Sequence, residues 1–345
     1  KVNLQLRHKL AKKSFNRKKS LNLLKSLIFE LMPTCYLEGR NDLKKTALNY
    51  GYPSSPRFIL TGSANICFDE SFKFWAANQV EYNKVPLYTL QHGAYYGWVK
   101  EKYYQTEEII SDKFITWGWK KRKTDLIGFN IICAKKNMMN YDSNGSLLLV
   151  KPPAEALNYR FMYHERQWSY IDYNEYREKL KVEFVAKLKS KVIDNLIIRP
   201  YLLNARIKLT EKNDHEFWSQ IKSLKIDSGK EKFERLVGKS KIVVFTYTSS
   251  GFLHTLNQNI PTIVILEPSH LFQFNKEFII HLNKLISANI IFTDYNQASK
   301  FINSIWDDIN KWWFKKTTQK TINQFCDKYS ARNYTPVKSL KNLLN

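Results

Sequence analysis

Apolar positions along the chain gather into short, unbroken, β-branched runs separated by longer stretches of helical period. The runs are Arg57 to Thr61, Val85 to Leu90, Lys113 to Trp117, Ser146 to Val150, Asn195 to Arg199, Lys241 to Thr246, Thr262 to Leu266 and Asn289 to Thr293. A run that is apolar on both faces fits a strand covered on both sides, and its alternation with helical stretches predicts parallel sheets flanked by helices. Those stretches are 68–82, 173–192, 230–239, 251–258, 272–287 and 297–313. Turn formers cluster from Asn137 to Ser146 (NMMNYDSNGS), dividing the chain into a domain of residues 1–142 and a domain of residues 143–345, the last helices of which are expected to pack back on the first. The expected fold class is therefore α/β, with two doubly wound, Rossmann-like domains facing across a cleft. Ligands in such sheets bind beyond the carboxyl ends of the strands, so the chemistry is expected just after the runs.

Several polar segments sit there. In LTGSANICFDES a strand ends in a Gly-Ser turn, which makes Ser63 and Asn65 candidates for contact with a sugar or acceptor. Asp69 and Glu70 open the following helix. There they serve either as first-turn acidic residues favoured by the helix dipole or as a base that takes a proton from a hydroxyl. In LQHGAYYGW the imidazole of His92 falls on a tight turn at the mouth of the sheet, as a candidate catalytic group or a hydrogen-bonded structural histidine. Gln91, Gly93, Tyr95 and Tyr96 around it are candidates for a sugar-binding wall, and such aromatics also make ordinary core. Trp117 and Trp119 of ITWGW are expected to pack.

The second half carries the anion-binding candidates. Arg199, in IIRPY, offers a planar fork matched to phosphate or carboxylate, or else a surface ion pair. YTSSGF places Thr248, Ser249, Ser250 and Gly251 between a buried strand and a helix, where N-cap hydroxyls and first-turn amides can cradle a phosphate. Glu267, followed by Pro268, Ser269 and His270, falls where a nucleotide ribose or base would be read. No GxSxG elbow, HExxH, EF-hand or Walker sequence occurs.

Composition narrows the partners. The chain has 345 residues with 55 Lys and Arg against 31 Asp and Glu, a net charge of +24 that attracts nucleic acid, anionic lipid or acidic sugars alike. The basic residues are spread along the chain and no helix-turn-helix, RRM, KH or zinc-finger sequence is present, which argues against a nucleic-acid-binding protein, the alternative that the charge raises. The densest basic run, Arg7 to Lys25, overlaps Leu21, Leu24, Leu27 and Leu31 at helical spacing, a solvated helix or one that touches an anionic membrane surface. No apolar run approaches a membrane span. The four cysteines lack ligand spacing, so neither zinc nor a disulfide framework is expected, and a reducing cytoplasm fits, with contact at the inner face of the cytoplasmic membrane.

Together LTGSANICFDESFKFWAA, LQHGAYYGW, SDKFITWGW, IIRPY and YTSSGFLHTLNQNIPTIVIL resemble a family of bacterial O-antigen and capsule transferases of GT-B fold, related to pseudaminic (nonulosonic) acid transferases. The resemblance covers most of residues 57 to 300. It implies a glycosyltransferase that moves a sugar from a nucleotide donor, a CMP-linked nonulosonic acid, onto a surface polysaccharide or its lipid-linked precursor. UDP, GDP or CDP donors are the alternatives. Similar CMP-sugar enzymes hold the nucleotide phosphate with a His-Pro pair and a serine element. Ser249 and Ser250 match the second, whereas Arg199-Pro200 stands where the first would be. No DxD sequence is evident, so no metal and no cofactor beyond the donor are expected.

Overall fold

The computed structural model describes residues 1–14, 19–100, 106–133, 140–152, 170–200, 215–221 and 224–344. Its α/β character follows the apolar pattern. All eight runs form strands: β1 (Ile59–Thr61), β2 (Leu87–Leu90), β3 (Lys113–Thr116), β5 (Ser146–Val150), β6 (Leu196–Arg199), β8 (Ser240–Phe245), β9 (Thr262–Ile265) and β10 (Ile291–Phe292). Two short strands without a strong apolar run, β4 (Asp125–Ile127) and β7 (Lys225–Ile226), complete the sheets. The helical stretches are present, and some are broken. The stretch 68–82 is the helix Glu70–Asn83, capped by the Asp69 carboxylate and preceded by a short helix, Ser63–Phe68. The stretch 173–192 runs through a helix Tyr170–Lys179, a π turn and a 3-10 turn before Ser190–Ile193.

Compactness divides the chain into Lys1–Leu90 with Ile110–Phe114, and Gln91–Ile109 with Ile115–Asn345. In the first unit, β1 and β2 pair in parallel with Ile59 opposite Leu87 and Thr61 opposite Thr89. Ile59, Phe72, Ala76, Val85 and Leu87 form its core, with Tyr52 and Trp75 packed against them. The smaller sheet has the order β1-β2-β3-β4.

The larger sheet has the order β10-β9-β8-β5-β6-β7, and every neighbouring pair is parallel. From β5 the chain steps outward through β6 to β7, then returns to the other side of β5 and steps outward again through β8, β9 and β10. This is a doubly wound order, and its direction reverses between β5 and β8. The side chains explain why these strands are central: Leu147, Leu148, Leu149, Val243, Val244, Ile263 and Val264 are fully buried, as a sheet covered on both faces requires. Ser249, Asn275 and Asp294 cap the helices that follow, Ser250–Asn257, Lys276–Ser287 and Tyr295–Ile305. Of the turn-rich piece 137–146, residues 137–139 lie outside the described residues, as do 15–18 of the basic run; Asp142 to Gly145 form a turn closed by a 2.9 Å backbone bond. Among the described residues no helix is long and apolar enough to cross a membrane.

Candidate functional site

A pocket of about 460 Å³ opens beyond the carboxyl ends of β5 and β8, the position at which a doubly wound sheet binds its ligand. Val150, Arg199 and Phe245 end β5, β6 and β8 on its floor. Ser249, Ser250 and Gly251 bring the start of the next helix, and the turn from His92 to Tyr96 forms another wall.

The helix start turns first-turn donors toward the pocket. Ser249 Oγ accepts from the Phe252 amide at 3.2 Å, which satisfies one of the first-turn donors. The Ser250 and Gly251 amides belong to the same unsatisfied set, and both residues line the pocket. Thr248 is committed elsewhere, its Oγ1 lying 2.8 Å from Tyr95 Oη. Arg199 reaches the pocket already paired: its Nη1 donates to Asp227 Oδ2 at 2.5 Å and to the Glu231 carbonyl at 3.3 Å, and its guanidinium lies over Phe233 at 5.7 Å. The ion pair and the pocket position coexist.

The opposite wall is held rigidly. Gln91 is buried; its Oε1 accepts from the Trp117 amide and Trp119 Nε1, both at 2.9 Å, and its Nε2 donates to the Gly93 carbonyl at 2.8 Å. Its amide is thus spent on positioning the turn. Gly97 has φ +78°, and a Cβ there would lie 2.6 Å from the Trp119 ring, so the turn needs glycine. Asn275 fixes the far end by donating to the carbonyls of Gly97 and Trp98 at 2.9 and 2.6 Å. A Cβ at Gly93 would sit 3.6 Å from Ser250 Oγ, which measures how closely this turn approaches the cradle.

His92 is half exposed at the pocket, and its Nδ1 is occupied. Tyr96 Oη lies 2.7 Å from it and Glu107 Oε1 3.2 Å, while Tyr96 Oη donates to the same Glu107 oxygen. Burial pushes the Glu107 carboxyl up, but the His92 and Tyr96 hydrogen bonds outweigh burial and hold it below the usual carboxylate range. An ionised Glu107 accepts only, so the Tyr96 proton points to Glu107 and the Nδ1 proton points to the tyrosine oxygen and the carboxylate. That fixes the imidazole with Nε2 as its basic nitrogen. Tyr96 is therefore part of a relay rather than an exposed sugar wall. Glu107 carried no sequence signal, being fifteen positions from His92 in an ordinary acidic first turn (TEEII).

The remaining candidates stand apart from this pocket's lining. Glu267 faces Lys179 Nζ at 3.4 Å, and the side chains of Ser269 and His270 lie outside the described set. In the first unit, Asn65 donates to Thr61 Oγ1 at 3.1 Å and Ser63 begins its short helix. Asp69 caps the next helix through the Phe72 amide at 2.9 Å and receives Tyr52 Oη at 3.3 Å. Glu70 accepts from Tyr36 Oη and from Lys73 Nζ at 2.5 Å, and Lys73 before all else holds its carboxyl below the usual range. The acidic pair is thus engaged in local structure.

The family model described as LIC12162 family transferase matches residues 1–344; the chain belongs to that family and is a transferase. No curated protein matches it. Among solved structures it is similar to UDP-GlcNAc 2-epimerase from Neisseria meningitidis bound to UDP-GlcNAc, at 12% identity over 97% of this chain and 94% of that one, TM-score 0.48. It is similar to Anabaena Alr3699/HepE in complex with UDP-glucose at 9% identity, over 88% of this chain and 80% of that one, TM-score 0.45. It is also similar to a glycosyltransferase from Rickettsia africae at 12% identity, over 97% and 86%, TM-score 0.46. None of the three reaches 0.5.

Proposed function

We propose that this LIC12162 family transferase is a glycosyltransferase of GT-B type that takes a nucleotide-activated sugar in the pocket at the carboxyl ends of β5 and β8. The observation that carries the reading is the juxtaposition of an oriented imidazole, on His92, with the anion cradle of Ser250 and Gly251 at a topological switch point. Each half matches one need of glycosyl transfer. His92 Nε2 takes the proton of the acceptor hydroxyl as the acceptor oxygen bonds to the anomeric carbon. The bond from that carbon to the phosphate oxygen breaks, its electron pair leaving with the nucleotide, and the first-turn amides and the Arg199 fork receive the developing charge. Residues up to 142 supply the acceptor side through His92 and Tyr95, and those from 143 supply the donor side.

The resemblance to nonulosonic acid transferases favours a CMP-linked acidic sugar as donor and a surface polysaccharide or its lipid-linked precursor as acceptor. Thermal-shift measurements with CMP, CDP, UDP, GDP and ADP test this, because ligand at about 100 times its dissociation constant stabilises by roughly 2.7 kcal/mol. Selective stabilisation by CMP is expected. A shift with another nucleotide alone replaces the donor and keeps the transferase, while no shift with any of the five removes the nucleotide-sugar reading.

A further inference from the structure

Helix Lys19–Leu31 turns its apolar side outward. Leu21, Leu23, Leu24, Leu27, Ile28 and Leu31 are all exposed, Leu31 to 76%, and at 100° per residue they share one broad face. The opposite side packs on helix Leu4–Lys13, and the two are locked by a buried arginine. Arg7 donates to the carbonyls of Phe29, Glu30 and Met32 at 3.0, 2.7 and 2.8 Å and pairs with Glu38 at 2.8 Å. The helix is therefore held in a fixed orientation that presents leucine and isoleucine to solvent, an exposure cost that a surface helix with a polar outer face avoids.

We infer that this helix is a docking surface for an anionic lipid leaflet. Charge selects the occupant. Residues 1–31 carry nine Lys and Arg against one acidic residue, Glu30, a net +8 of the chain's +24. Lys9, Lys12 and Lys13 on the adjoining helix are exposed. A second copy seated on this face would bring +8 against +8, so self-association is opposed, and a nucleic acid has no use for six aliphatic side chains. An anionic bilayer takes both: the apolar face enters the headgroup boundary while lysines meet lipid phosphates. The inference stands independently of the donor and of the transfer chemistry.

Sedimentation with vesicles tests it on the intact chain. The protein is expected to partition onto vesicles of phosphatidylglycerol and phosphatidylcholine, far less onto phosphatidylcholine alone, and less again at high salt. Leu24→Glu with Ile28→Glu should weaken partition by about tenfold or more with an unchanged melting curve, since both positions are exposed. Lys12→Glu with Lys13→Glu should weaken it while keeping the apolar face. The inference is overturned if the protein ignores anionic vesicles, binds neutral ones equally well, or binds unchanged in the Leu24 and Ile28 variant. A wild-type protein that self-associates where that variant is monomeric overturns it too, by giving the face to a second copy.

Discussion

Glu107→Gln separates a positioned base from a histidine that merely fills the turn. The substitution conserves shape at a buried site, where the Glu107 side chain is only 3% exposed, and removes the charge that orders the relay. A carboxamide can offer its NH₂ to Tyr96 and His92, which turns the tyrosine proton back toward Nδ1 and moves the imidazole proton to Nε2. The nitrogen that should accept the substrate proton then carries one. A hydrogen bond to a charged group contributes about 1.5–3 kcal/mol, which at 1.36 kcal/mol per decade is roughly 10- to 150-fold in rate. The whole of general-base catalysis, about 10² to 10⁴, sets the ceiling. Glu107→Gln is thus expected to lower kcat by about 100-fold while the donor KM stays within about threefold, because the carboxylate touches no part of the anion cradle.

The assay is nucleotide release at saturating donor, with stabilisation by nucleotide as the control for binding. His92→Ala should lose at least as much as Glu107→Gln, and the double variant should be no worse than His92→Ala, since the two act as a unit. The Glu107 carboxyl is held below its ordinary 4.5, so it stays ionised throughout the neutral range and its loss of control is expected only at pH below that value. If Glu107→Gln retains activity within threefold while His92→Ala is inactive, or if the two losses add, the relay does not orient the base.

Other consequences follow from the same geometry. Ser249→Ala removes an N-cap and should cost about 1 kcal/mol in denaturant unfolding with kcat little changed, whereas Ser250→Pro, which removes a first-turn amide at the one helical position that tolerates proline, should raise the donor KM about tenfold. Gln91→Leu strands the buried Trp117 amide and Trp119 Nε1, a loss of roughly 2 to 6 kcal/mol by chemical denaturation. Asp227→Asn frees the Arg199 fork, so the unliganded protein should melt lower and nucleotide should stabilise it more than wild type, with a steeper salt dependence; equal stabilisation would take Arg199 out of donor binding. Arg7, by hydrogen bond first, holds the Glu38 carboxyl down at about 2 from an ordinary 4.5. A lowered carboxylate stabilises above the unfolded value, so helicity of the N-terminal pair should fall as pH drops from 4.5 toward 2, and Glu38→Gln should flatten that loss; coincident circular-dichroism titrations would refute the pairing.

The strands were legible because the signal that reveals them is the one that forms them. Leu147 to Leu149 and Val243 to Val244 read as unbroken apolar runs and are buried on both faces. β4 and β7 escaped because they bury no apolar run: β7 is two residues, Lys225 and Ile226, neither of them buried, and the buried residue of β4 is Asp125. The breaks within helical stretches were hidden for another reason. In 297–313 the apolar period continues across Asp308, and only the bond from the Lys311 amide to its carboxylate reveals that a second helix, Ile309–Trp313, is capped there.

The site divides along the same line between local and non-local information. YTSSG declares a cap and, with it, the proposed phosphate cradle because both draw on the same few consecutive amides, and the fold puts that segment at the switch point as β8 ends. Arg199 declares a charge but not its partner, since Asp227 lies 28 positions away on the turn after β7. This pairing bears on how the pocket selects a donor. With its guanidinium already offset by a carboxylate, Arg199 is not a bare charge, so on the proposed function the Ser250 and Gly251 amides, whose direction is fixed by the helix, would carry more of the recognition. Donor binding should then depend weakly on ionic strength, because amide hydrogen bonds in a recessed pocket are screened little. Docking through the basic N-terminal helices should depend on it steeply. A salt titration that leaves the donor KM nearly flat while vesicle partition collapses would separate the local hydrogen-bond recognition of the pocket from the long-range field of the chain.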